Sequence, residues 1–194
     1  MILEVVKFGH PALRAKGDKV EAITPAIQEL IANMFDTMYD AHGIGLAAQQ
    51  VGKALQITVI DVRAASAERP STLELNGKPA SVEDFMPLVL INPRIKPVNG
   101  PIAGPEGCLS FPEIFADIKR PETVDAVAMN EKGKRIEFRC GGLLARAVQH
   151  ETDHLNGILF IDRMETAAKA ELKPEIDKLM AETKAELEKQ KKKG

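Results

Sequence analysis

Five residues near the end of the chain, His150-Glu151-Thr152-Asp153-His154, have the types and spacing that metal-assisted hydrolysis requires. On a helix of about 3.6 residues per turn, positions four apart lie about 40° apart, so His150 and His154 share one face. Glu151 falls about 60° beyond His154, close enough to address the same ion without being forced to bind it. Two neutral imidazoles on an ion, with a carboxylate beside the attacking water, is an arrangement used for hydrolysis. Asp153 reads as a supporting or surface carboxylate. The competing reading is a solvated amphipathic helix that merely carries histidines.

Two imidazoles do not close a catalytic site, and the third donor decides its class. The extended pattern H-E-x-x-H-x-x-G-x-x-H keeps its glycine at Gly157 but places Phe160 where a third histidine belongs. Glu171 and Glu175 lie downstream beside Pro174, in a charged stretch whose simpler reading is a solvated face. The remaining candidates are cysteines. Cys108 lies in Glu106-Gly107-Cys108-Leu109-Ser110-Phe111-Pro112, a short apolar turn segment. Taken alone, it fits a small buried hydrophobe as well as a ligand, and Cys140, before Gly141-Gly142, fits the former well. A third segment, Gly43-Ile44-Gly45-Leu46-Ala47-Ala48-Gln49-Gln50, matches a loose dinucleotide fingerprint. That reading fails on context, because the segment follows a helical pattern and opens no βαβ unit. Its glycines instead let the backbone approach something closely, and Gln50 offers a neutral amide donor.

Several elements must hold these residues. Thr24 before Pro25 reads as an N-cap with proline at the first helical position. Ile27, Leu30, Ile31, Met34 and Met38 then follow helical spacing up to Gly43. Residues 55–62 and 88–95 read as strands, and residues 123–130 and 134–140 as a hairpin around Glu131-Lys132-Gly133. A helix over residues 143–155 carries the histidines and stops at Asn156-Gly157. Residues 165–190 place Leu172, Ile176, Leu179, Thr183 and Leu187 on one helical face, with Pro174 expected to break or restart the helix. Residues 64–84 are polar, read as an exposed loop or small hairpin, and are assigned no chemistry. Strands and helices come in blocks rather than alternating, which predicts an α+β fold.

Composition narrows the classes further. At 194 residues with 44% hydrophobic positions, the chain suits one domain with a sizeable core. Its net charge of −2 argues against a protein that coats nucleic acid, and no DNA partner is expected. With no Trp and a single Tyr, Tyr39, it lacks stacking platforms for single strands. Two cysteines suit a reducing compartment. No signal-peptide core or membrane-length apolar run is present, so the expected location is cytoplasmic with no membrane partner. A monomeric or weakly associating protein is expected.

Three motifs, in this order, resemble those of the peptide deformylase family: G-x-G-L-A-A-x-Q at residues 43–50, E-G-C-L-S at 106–110 and Q-H-E-x-D-H at 149–154. The opening Gly9-His10-Pro11-Ala12-Leu13-Arg14 is also similar, so the resemblance covers roughly residues 1–165 as the catalytic body. Residues 166–194 are then a C-terminal helical extension rather than a separate domain. The resemblance implies small antiparallel sheets around a central helix that carries the H-E-x-x-H motif. It implies Cys108, His150 and His154 as ligands of one ion per chain, natively Fe(II), with Zn, Ni or Co possible in isolated protein. Glu151 would be the general acid and base, with Gln50 and the backbone N–H of Leu109 holding an oxyanion. The implied substrate is the formyl-methionyl N-terminus of nascent peptides, whose formyl group is released as formate. One departure concerns Ile114-Phe115, where some relatives place an arginine that grips the peptide backbone.

This chemistry suits the residues. A small formyl carbon fits a tight cleft, and a methionine side chain needs an apolar pocket, for which Gly43, Ile44, Gly45, Ala147 and Val148 are the expected walls. Arg146 beside them reads as ambiguous or surface. The terminal Lys189-Gln190-Lys191-Lys192-Lys193 has two readings: a solvated helix end, or a weak salt-dependent contact with ribosomal RNA.

Overall fold

The computed structural model describes residues 1–193. Helix α1, Pro25–Asp40, begins as its cap predicts: the Thr24 hydroxyl accepts from the Ile27 N–H, and Pro25 needs no partner in the first turn. Its inward stripe, Ile31, Met34 and Met38, packs on the strand that follows. Strands β1 (Gly45–Ala47) and β2 (Ile57–Ile60) pair antiparallel. All four β2 residues are buried, with Ile57 and Val59 against α1 and Ile60 in the cluster on the other face. A strand covered on both faces has no need for polar alternation.

In the polar stretch 64–84 the small hairpin, one of its two expected forms, is present. The stretch forms β3 (Ser71–Leu75) and β4 (Lys78–Pro79) around Asn76-Gly77, both at positive φ as a two-residue hairpin requires, followed by the short helix α2 (Val82–Phe85). Strand β5 (Leu88–Pro97) joins β2, and the hairpin β8 (Thr123–Met129) and β9 (Arg135–Gly141) joins β5. Because β3 pairs with β9, these strands form one seven-stranded sheet in the order β1-β2-β5-β8-β9-β3-β4. A separate hairpin, β6 (Pro101–Cys108) and β7 (Phe111–Pro121), carries a bulge between Glu106 and Cys108. Among the described residues the fold is therefore a mixture of helix and antiparallel sheet, as expected.

Helix α3, Gly142–Leu155, starts directly from the end of β9 and lies between the large sheet and the β6–β7 hairpin. Leu143, Leu144, Ala147 and Val148 pack into the cluster that also holds Leu73, Leu90, Val124 and Phe138. The helix ends at Asn156, and Gly157 at φ 72° turns the chain where a side chain would meet the Arg14 carbonyl.

Helix α4 runs unbroken over Thr166–Lys191, which corrects the expectation that Pro174 would interrupt it. Pro174 and Ala170 both face solvent, so water can satisfy the carbonyl that proline leaves without a donor. The stripe Leu172, Ile176, Leu179 and Met180 lies on a cluster with Phe8, Ile114, Ile118 and Met164 and holds the helix to the body. Among the described residues no helix is long and apolar enough to cross a membrane.

Candidate active site

Residues distant in sequence meet in a cavity of about 510 Å³ between β1, the β6–β7 hairpin and α3. Leu143, Ala147, His150 and Glu151 line it from α3, at the spacing of one helical face. Val148 does not face it; it is fully buried in the core, one position around the helix from Ala147. Gly43, Ile44, Gly45 and Gln50 line the opposite wall, and Cys108 and Leu109 the floor.

The ligand atoms of Cys108, His150 and His154 lie within 4.8 Å of one another, and Cys108 Sγ is 3.4 Å from His154 Nε2. Cys140 is fully buried behind α3, where burial pushes its thiol up to about 12. Glu171 and Glu175 are exposed on α4. A thiolate and two imidazoles are a fitting donor set for a transition metal or zinc. At His150 two influences oppose each other. Burial disfavours its charged form, yet Cys108 and Glu106 outweigh this and raise its pKa to about 10. His154, buried beside it, is lowered well below the usual histidine range by desolvation and by the charge on His150.

Glu106 orients His150: its Oε1 lies 2.8 Å from Nδ1, leaving Nε2 for the cavity. Burial alone would raise the Glu106 pKa, but the bonds from His150 and Arg120 hold it far below the carboxylate range. Arg120 donates to Glu106 at 2.7 and 2.9 Å and to Asp153 at 2.8 Å, and Arg163 also binds Asp153, at 2.5 and 2.7 Å. Arg146, read from sequence as ambiguous or surface, is buried instead. It donates to Glu106 and to the carbonyls of Ile118 and Ile102. Its guanidinium lies against Gly104 of β6, where a side chain would collide with it, and it lines the cavity as well.

Glu151 is buried against β1, and desolvation raises its pKa to about 7. Its Oε2 has no protein partner among the described residues. A Cβ at Gly45 would collide with this carboxylate, so only glycine lets the strand pass so close. Gln50 is oriented by the Ala47 N–H, which donates to Oε1 at 2.9 Å. Its NH2 group therefore turns toward Cys108 Sγ at 3.5 Å and Ser110 Oγ at 3.3 Å.

Several lining residues escaped the sequence reading. Arg69, from the stretch assigned no chemistry, reaches the cavity wall and donates to the Pro105 carbonyl at 3.0 Å. Phe115 lines the mouth while 69% exposed, and Lys7 lines it from the N-terminal segment. Arg120 did leave a signal: it continues the inward-facing positions Ile114 and Ile118 of β7, where an unpaired cation would be costly.

Fold and site together define a metal-dependent hydrolase with a mixed helix and antiparallel-sheet body. The polypeptide deformylase family model matches residues 2–170. Peptide deformylase of Opitutus terrae is 42% identical over 187 residues, covering 95% of this chain and 96% of the relative. That of Methylacidiphilum infernorum is 41% identical over 179 residues, covering 92% and 93%. The crystal structure of a peptide deformylase from Legionella pneumophila superposes with a TM-score of 0.76 at 34% identity, covering 92% of this chain and 95% of that one. The chain belongs to the polypeptide deformylase family, and hydrolysis of the formyl group from N-terminal formyl-methionine follows from that membership.

Proposed function

We propose that Cys108, His150 and His154 hold one ion per chain, natively Fe(II), and that Glu151 moves the proton in deformylation. The convergence of these three donors beside the buried Glu151 carries the reading. When bound, the ion supplies Lewis-acid activation of water and of the formyl oxygen. Glu151 takes the proton released as water adds to the formyl carbon, then delivers it to the departing N-terminal amine. A carboxyl group with a pKa raised to about 7 suits both halves of that transfer. Gln50 Nε2 and the Leu109 N–H donate to the developing oxyanion without bringing a fixed charge. Gly43, Ile44, Gly45 and Ala147 form the wall that receives the methionine end of the substrate.

The test is hydrolysis of a formyl-Met tripeptide beside an internally quenched, N-blocked peptide. Release of formate from the first alone is expected; cleavage of only the second would make the protein an endopeptidase. For the ion, activity that decays in air and persists after Ni or Co substitution supports Fe(II).

We further propose residues 1–165 as the catalytic body and residues 166–194 as an extension that makes weak ribosome contact in the cytoplasm. The four lysines at positions 189, 191, 192 and 193 support it, as does exposure of residues 188–193. Deleting residues 185–194 is expected to weaken low-salt co-sedimentation with ribosomes. Equal co-sedimentation leaves only a solvated helix.

A further inference from the structure

The two residues that connect β6 to β7, Leu109 and Ser110, are held by the N-terminal segment as well as by their own hairpin. Lys7 Nζ donates to the Leu109 carbonyl at 2.9 Å, and the Phe8 N–H donates to the Ser110 carbonyl at 3.0 Å. One residue earlier, the Val6 N–H donates to the Gln50 carbonyl at 2.8 Å. A single extended stretch thus fastens both elements that carry the proposed oxyanion donors. Two of these three ties are backbone bonds that any sequence could make. The third needs a long side chain ending in a donor.

Lys7 is an unusual choice for a purely structural tie. It is half-buried and lines the cavity, and among the described residues its one direct polar contact is the Leu109 carbonyl, with Cys108 and Glu4 close enough to favour its charge without pairing with it. Removing an ammonium from water to bond one neutral carbonyl costs free energy, and burial lowers its pKa accordingly. A solvated lysine would make no such contact. What the tie does do is constrain the Leu109–Ser110 peptide plane, and through it the direction of the adjacent Leu109 N–H.

We infer that Lys7 is a positioning residue for the oxyanion turn, holding Leu109 so that its N–H points at the reacting carbonyl oxygen. This rests on the reading that Leu109 and Gln50 are the oxyanion donors. The effect falls on the transition state, where charge on that oxygen is greatest, more than on binding of the peptide.

The experiment uses the metal-loaded full chain and two readouts: steady-state kinetics on a formyl-Met tripeptide, and deuterium uptake of the fragment spanning residues 106–112. Lys7→Met keeps the apolar stem and removes the donor; Lys7→Gln serves if that variant folds poorly. The expected result is a kcat about tenfold lower with KM within twofold, because a misdirected donor costs less than a missing one. Uptake accelerates severalfold, bound metal stays at the parent level, and Lys7→Arg restores both readouts most of the way. Unchanged uptake and kcat overturn the inference, and so does a rate loss that comes with loss of metal or that Lys7→Arg shares in full. Faster uptake with unchanged kcat overturns the catalytic consequence of the tie. If Gln50→Ala then also keeps its kcat, the oxyanion reading beneath it fails separately.

Discussion

Helix α3 buries thirteen of its fourteen residues, whereas α4, at twenty-six residues, buries only Ile176. Yet α3 is far from an apolar helix. Arg146, Gln149, His150, Glu151, Thr152, Asp153 and His154 are all buried on it. Most have partners supplied from elsewhere: Glu106 for Arg146 and His150, Arg120 and Arg163 for Asp153, and the Pro121 carbonyl for Gln149. Among the described residues three buried side-chain atoms lack a partner, and two of them, Glu151 Oε2 and His154 Nδ1, belong to α3; of these residues only Glu151 lines the cavity. Helix α4 keeps its charges in water and pairs them locally, as in Lys173–Asp177 at 2.5 Å. Buried polar groups are therefore tolerated where the fold supplies partners, and at Glu151 one carboxylate oxygen stays free beside the cavity.

The largest effects should come from the groups of α3 that face the cavity and from Cys108 opposite them. Cys108→Ala, His150→Ala and His154→Ala are each expected to lose metal and turnover together. Glu151→Gln is expected to keep its metal, measured by elemental analysis, while deformylation falls about 1000-fold. Retention of turnover by Glu151→Gln would return the carboxylate to the same rank as the solvated acids of α4.

Next come the paired charges behind the site. Arg120→Ala leaves Glu106 and Asp153 without their shared cation and should lower stability by about 3–5 kcal/mol, read by denaturant unfolding. The equivalent break on α4, Lys173→Ala, should change stability by less than about 0.5 kcal/mol. Equal losses from the two variants would remove the distinction drawn between these helices.

On α4 itself, Pro174→Ala restores an interior hydrogen bond and should stabilise the protein by up to about 3 kcal/mol without altering kcat/KM. The smallest effect concerns truncation: deleting residues 185–194 should leave hydrolysis of a free tripeptide within twofold. A large loss there would mean that the tail reaches the site.

Much of this was legible in the residues. The capped start of α1, the β8–β9 hairpin and α3 with its stop at Asn156-Gly157 all carry local signals, because caps, turns and helical periodicity act over a few neighbours. The one-turn spacing of His150 and His154 and the offset of Glu151 are likewise properties of any helix. Cys108 could be tied to them only by resemblance, since nothing within residues 106–112 points to a helix some forty positions later.

Other features depended on pairing between distant strands. The stretch 64–84 reads as an exposed loop or small hairpin, but only the fold gives β3 a partner in β9, and the chain just before it brings Arg69 to the cavity. Arg146 reads as ambiguous or surface until Glu106, held on β6, offsets the cost of its burial by bonding it together with Arg120. Val148 and Ala147 are equal as apolar neighbours in sequence; which one faces the cavity is set by how α3 is rotated against the sheet. Pro174 is a helix breaker by its own chemistry, overridden because its face is solvated and the opposite stripe is packed. Local sequence thus determined which segments form helices and which side chains could do chemistry. The tertiary structure decided which charges meet and which stay free, because the free energy of a buried polar group depends on partners contributed from other parts of the chain.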